Sequence, residues 1–95
     1  MTANQAREIR NKTYEDAFIG IENDPQYIAV MNAINDAVNA KPLPKDEIHF
    51  NFEPDQVGFS GLGSDSTIIV KEKLTVDGFC LIELFGLAIH CRIEW

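Results

Sequence analysis

The chain is poor in cysteine, in positive charge and in long apolar runs. Two cysteines in 95 residues, Cys80 and Cys91, make no disulfide scaffold, and neither belongs to a Cys-x-x-Cys pair, so free thiols are expected. No apolar run approaches the roughly 18–20 residues of a membrane span. The opening residues Met1–Glu8 are polar and lack the apolar stretch of a signal peptide. A cytoplasmic protein with no membrane partner is the expectation. Eight Lys and Arg stand against 15 Asp and Glu, for a net charge of −7. Scattered bases in an acidic chain disfavour phosphate tracking, so direct nucleic-acid binding is not expected. The acids form no dense run, and solubility explains them more simply than mimicry of a nucleic acid does.

Catalytic and metal-binding signatures are also missing. His49 and His90 are the only histidines, with no His-x-x-x-His spacing. Each falls on the polar side of its strand. If the first and last strands were neighbours, the two would share a sheet face with Glu53 or Glu94, yet solvated histidines remain the favoured reading. Cys91 follows His90 directly, and adjacent strand residues point to opposite faces, so they make no nucleophile–base pair. The Gly58–Gly63 segment looks like a phosphate loop but lacks the Gly-Lys-[Ser/Thr] ending. No catalytic residue, cofactor site or metal site is assigned, and the chain is expected not to be an enzyme.

What the chain does contain is a foldable pattern. Its last nine residues alternate strictly: Leu87, Ile89, Cys91, Ile93 and Trp95 on one face, Ala88, His90, Arg92 and Glu94 on the other. This is a half-buried strand, with Trp95 expected in the core. Thr2 and Gln5 fit a capping box, followed by Ala6, Ile9, Thr13, Ala17 and Ile21 at helical spacing, ending near Gly20. Asp24 and Pro25 are an N-cap and a first helical residue. Tyr27, Val30, Met31, Ile34 and Val38 continue as an apolar face until Pro42 and Pro44. A helical hairpin is thus expected. Ile48, Phe50 and Phe52 alternate with His49, Asn51 and Glu53 in a strand over Glu47–Glu53. Residues 55–65 read as a Gly-rich loop.

Residues 67–77 are evenly balanced. β-branching and the alternation of Ile68, Val70, Leu74 and Val76 favour a strand. A Ser66 cap, Lys71–Leu74 and Gly78 favour a helix. Cys80–Leu84 then turns through Phe85-Gly86 into the terminal strand. A two-residue loop pairs Leu84 with Leu87, Ile82 with Ile89 and Cys80 with Cys91, putting all six on the core face. Cys80 opposite Cys91 has the spacing of a cross-strand disulfide, although thiols are expected. Such a turn wants positive φ at Phe85, which is strained there, and a longer loop would change the pairing.

Three segments resemble small uncharacterised bacteriophage proteins: Thr2-Ala3-Asn4-Gln5-Ala6-Arg7, Asp77-Gly78-Phe79, and the closing Ile93-Glu94-Trp95. The resemblance covers about a third of the chain, at its two ends. It implies an N-terminal helix and a further helix leading into the terminal hairpin, which tips residues 67–77 towards helix. It identifies no active site.

Together these readings predict a single α+β domain over residues 1–95. Its elements are an N-terminal helical hairpin, one strand, a third helix and a C-terminal antiparallel β-hairpin. The functional expectation is a non-enzymatic phage accessory protein that binds another protein, such as a host factor or a defence system it inhibits. A structural or self-assembling virion component is the alternative. The expected pairing leaves Phe79, Leu81 and Phe85 facing away from the helices, as an interface for a homodimer or higher oligomer.

Overall fold

The computed structural model describes residues 1–54 and 63–95. Along the chain these form α1 (Ala3–Ala17), a short 3-10 turn (Ile21–Asn23), α2 (Pro25–Val38), β1 (Glu47–Asn51), α3 (Asp65–Val76), β2 (Cys80–Leu84) and β3 (Leu87–Glu94). The fold is α+β, with a three-stranded antiparallel sheet of order β1-β3-β2. Most of the Gly-rich segment, including the likeness to a phosphate loop, lies outside the described residues.

Local chemistry explains the helices. Thr2 and Gln5 close a reciprocal capping box on α1. At α2, Asp24 Oδ1 accepts from the backbone N–H groups of Gln26 (2.8 Å) and Tyr27 (3.2 Å), and Pro25 takes the first helical position. Residues 65–76 are helical, despite their β-branched content. Ser64, rather than Ser66, is the cap, with its Oγ accepting from Thr67 N at 3.2 Å. At the other end Gly78 has φ +98°, with Gly78 N–H donating to Thr75 O (3.1 Å) and Phe79 N–H to Leu74 O (3.0 Å). These two bonds are the Schellman pattern, and they satisfy carbonyls that the helix end would leave bare. Val70 and Leu74 are buried from the same helix, and this packing outweighs the small propensity cost of Ile and Val.

α2 and α3 lie on one face of the sheet. Val30 and Ile34 meet Val70 and Leu74 there, over Phe52, Cys91 and Ile93. Burying each larger aliphatic contributes about 1.5–3 kcal/mol. α1 is different: none of its residues is buried. The expected stripe of Ala6, Ile9, Thr13 and Ala17 is exposed, so the helical hairpin is not held by packing of α1. Only its C-terminal end is anchored. Phe18 packs against the core, and Lys73 Nζ sits 5.5 Å over the Phe18 ring.

The terminal hairpin corrects the expected pairing. The two-residue turn does form, with φ +58° at Phe85 and +69° at Gly86, and Leu84 opposes Leu87. Beyond it the register jumps: Glu83 opposes Cys91, Leu81 opposes Ile93 and Cys80 opposes Glu94. Ala88, Ile89 and His90 are therefore extra on β3 relative to β2, a bulge that reverses the faces of β2. Phe79 and Leu81 pack with the helices against the core. They do not face away from it as expected, and of the three residues expected there only Phe85 stands exposed, at 87 %. Cys80 is exposed and Cys91 buried, on opposite faces, so the cross-strand disulfide geometry is absent. Trp95 also departs from expectation. It remains 40 % exposed and meets Phe79 edge-on, with ring centroids 6.2 Å apart.

Candidate functional site

Gln26 and Thr67 are the buried polar residues among those described. Gln26 Nε2 donates to Ser66 Oγ (3.1 Å) and Thr67 Oγ1 (3.0 Å), while Gln26 Oε1 accepts from Glu53 N–H at 2.6 Å. Thr67 Oγ1 donates to Glu53 O at 2.8 Å, and Ser66 Oγ to Asp24 Oδ2 at 2.9 Å. Ser64 N–H also reaches Glu53 O, at 3.0 Å. The cluster joins the starts of α2 and α3 to the end of β1 and holds Glu53 beside Ser64. Its hydrogen-bonding groups are consumed internally, which makes it a clasp for the fold and not a binding centre.

A second interior cluster supports the bulge. Lys71 Nζ donates to Ala88 O (2.8 Å) and pairs with Glu83 (3.2 Å), and Cys91 Sγ donates to Ala88 O at 3.3 Å. Burial, the largest influence, pushes the Cys91 thiol up from its ordinary pKa. A buried, protonated thiol is a poor nucleophile. His90 stands on the opposite face, as the alternation predicts, and forms no pair with it.

The sheet face turned away from α2 and α3 is the surface on which uncommitted chemistry collects. The β1–β3 register sets Glu47 opposite Glu94, His49 opposite Arg92 and Asn51 opposite His90. His49 and His90 thus share one face, as adjacent strands require. His90 Nδ1 lies 2.5 Å from Asn51 Oδ1. Arg92 Nε lies 3.1 Å from Glu47 Oε2 and 2.8 Å from Glu94 Oε1. These are ion-pair distances, but the N–H is aimed squarely at neither oxygen. The guanidinium separates two carboxylates that the register places directly across from one another, where like charges repel. Ile82 and exposed Cys80 complete the face on β2. No group of three or more His, Cys, Asp or Glu among the described residues is arranged to hold a metal ion.

At one end of this face stands the Phe85-Gly86 turn. The Phe85 ring meets the His90 ring edge-on at 6.3 Å. At the other end Trp95, Pro44, Lys45, Asp46, Glu47 and Glu94 line an open recess of about 620 Å³. The arrangement is suited to contact: an exposed aromatic, a central arginine and histidines held on a rigid strand. Sequence reasoning found Phe85 but missed Arg92, because Arg92's role depends on the register of β1 against β3. Lys71 was likewise invisible, since its acceptor exists only once β3 bulges.

No helix among the described residues is long and apolar enough to cross a membrane. Compared with known protein families, curated proteins and solved structures, the chain matches none of them.

Proposed function

We propose that the protein works without catalysis by binding another protein through the β2–β3 turn and the adjoining open sheet face. Phe85 is the observation that carries this reading. A bulky residue at φ +58° is strained, and an aromatic that is 87 % exposed gains nothing from burial. Asn-Gly at this turn would remove both costs. A strained, solvent-facing aromatic on a rigid hairpin is accounted for by a partner that buries it. His90, Arg92 and His49 supply polar contacts beside this anchor. The likeness of both chain ends to small phage proteins gives the partner its context: a host factor or defence component in the host cytoplasm, inhibited by occupation of its surface.

The test is affinity capture with the wild type and with Phe85→Asn. The substitution should stabilise the isolated protein by about 0.5–1 kcal/mol, because it relieves the turn and sacrifices no burial. A partner retained by the wild type should be lost from this more stable variant. If both capture the same partner equally, the turn is not the contact.

A further inference from the structure

We infer that α1 is a self-association element, which pairs antiparallel with α1 of a second copy of this chain. The proposal is independent of the surface around Phe85. Every residue from Met1 to Thr13 is exposed, and α1 spans Ala3–Ala17 without a buried side chain. An isolated helix of this length is marginal in water. Its charges make matters worse. The first turn holds no acid and the last turn no base; instead Arg7, Arg10 and Lys12 crowd the N-terminal half, and Glu15 and Asp16 follow in the C-terminal half. That polarity opposes the helix macrodipole, whose positive end is the N-terminus.

The same distribution is self-complementary when one helix is reversed against another. The basic half of one copy then meets Glu15 and Asp16 of its twin, and the contact repeats by the two-fold axis. The wider chain reinforces this choice of occupant. Between Thr13 and Ala40 there is no Lys or Arg, while Glu15, Asp16, Glu22, Asp24 and Asp36 are all acidic. A second copy therefore presents to the basic half the counter-charge it lacks in its own neighbourhood. Ala6, Ile9 and Thr13 follow at the three- and four-residue spacing of a helix–helix seam. Ala and Thr are small enough to let the axes approach closely. The seam is short, so the pairing is a weak one, with a strong dependence on salt.

Sedimentation equilibrium tests this on the full chain. The wild type should dimerise at about 200 μM in low salt and dissociate near 1 M NaCl, where the screening length falls to about 3 Å. Two charge-reversed variants are then compared, Arg7→Glu with Arg10→Glu, and Glu15→Lys with Asp16→Lys. Each improves the match to the helix dipole, so circular dichroism should show α1 at least as helical as before. Each alone should be monomeric, and an equimolar mixture should recover a dimer. A monomeric wild type overturns the proposal. So do variants that dimerise as well as the wild type, or a mixture that stays monomeric. A monomer that instead binds a short DNA duplex, and loses it on Arg7→Glu with Arg10→Glu, assigns the basic half to phosphate and overturns it equally.

Discussion

Replacing Gln26 by Leu tests whether the clasp between the two helix starts holds the fold. The volumes are close, so little cavity forms and the cost is mainly polar. Three hydrogen bonds disappear: those from Gln26 Nε2 to Ser66 Oγ and Thr67 Oγ1, and the one from Glu53 N–H to Gln26 Oε1. The first two leave hydroxyls whose own hydrogens still reach Asp24 Oδ2 and Glu53 O. The third strands a backbone donor in partly buried surroundings, which costs about 1–3 kcal/mol. A net loss near 2 kcal/mol is expected. Thr67→Val keeps the shape and removes only the hydroxyl. Glu53 O still accepts from Ser64 N–H, and Gln26 Nε2 still reaches Ser66, so about 1 kcal/mol is expected. Both variants break the same Gln26–Thr67 bond, so the double variant should lose less than the sum, by about 0.5–1 kcal/mol. Urea unfolding gives all four corners of the cycle, with unchanged m-values confirming comparable transitions. If Gln26→Leu costs less than about 0.5 kcal/mol, or the cycle is additive, the clasp carries no stability and the reasoning fails.

Three further outcomes follow from single contacts. Gly63→Ala should destabilise by about 2–4 kcal/mol, since φ is +87° and the new Cβ would stand 2.5 Å from Thr67 Cγ2 and 3.2 Å from Glu53 O; thermal melting of the variant checks this, and a shift under about 3 °C contradicts it. Arg92→Met should cost about 1 kcal/mol in low salt, less in 1 M NaCl, and Glu47→Gln should restore most of it by relieving the facing carboxylates; a salt-independent loss would locate the effect in packing. Burial raises the Cys91 pKa in the folded state, so the unfolded chain releases that proton first, and this contribution to stability is lost as pH rises past about 8.5. Cys91→Val should show a shallower decline from pH 8 to 10 in urea titrations, and identical slopes would remove Cys91 as the cause.

The sequence disclosed the elements better than their faces. α2 was readable because Asp24, Pro25 and the apolar spacing agree at every level, and the structure starts that helix at Pro25. β1 was readable from the alternation of Ile48, Phe50 and Phe52. Residues 67–77 were not, because β-branching and helix caps conflict there, and the deciding facts are tertiary: the burial of Val70 and Leu74 and the bonds around Gly78. Of the three residues assigned to an interface, Phe85 stands free, while Phe79 and Leu81 belong to the core side.

That reversal has one physical origin. The turn at Phe85-Gly86 fixes Leu84 against Leu87, and continued without interruption it would place Cys80, Ile82 and Leu84 towards the helices. The Schellman end of α3 makes the opposite demand. It bonds Phe79 N–H to Leu74 O and so sets the Phe79 ring on the helix side. With a strand period of two, Leu81 must follow Phe79. Both constraints can hold only if an odd number of residues is inserted between them, and β3 inserts Ala88, Ile89 and His90. The insertion frees the Ala88 carbonyl, which Lys71 and Cys91 then satisfy. Neither end of β2 reveals this alone. A two-residue turn and a helix C-cap only five residues apart have to be tested for parity together, and here their disagreement is what leaves Phe85 and His90 at the edge of an uncovered face.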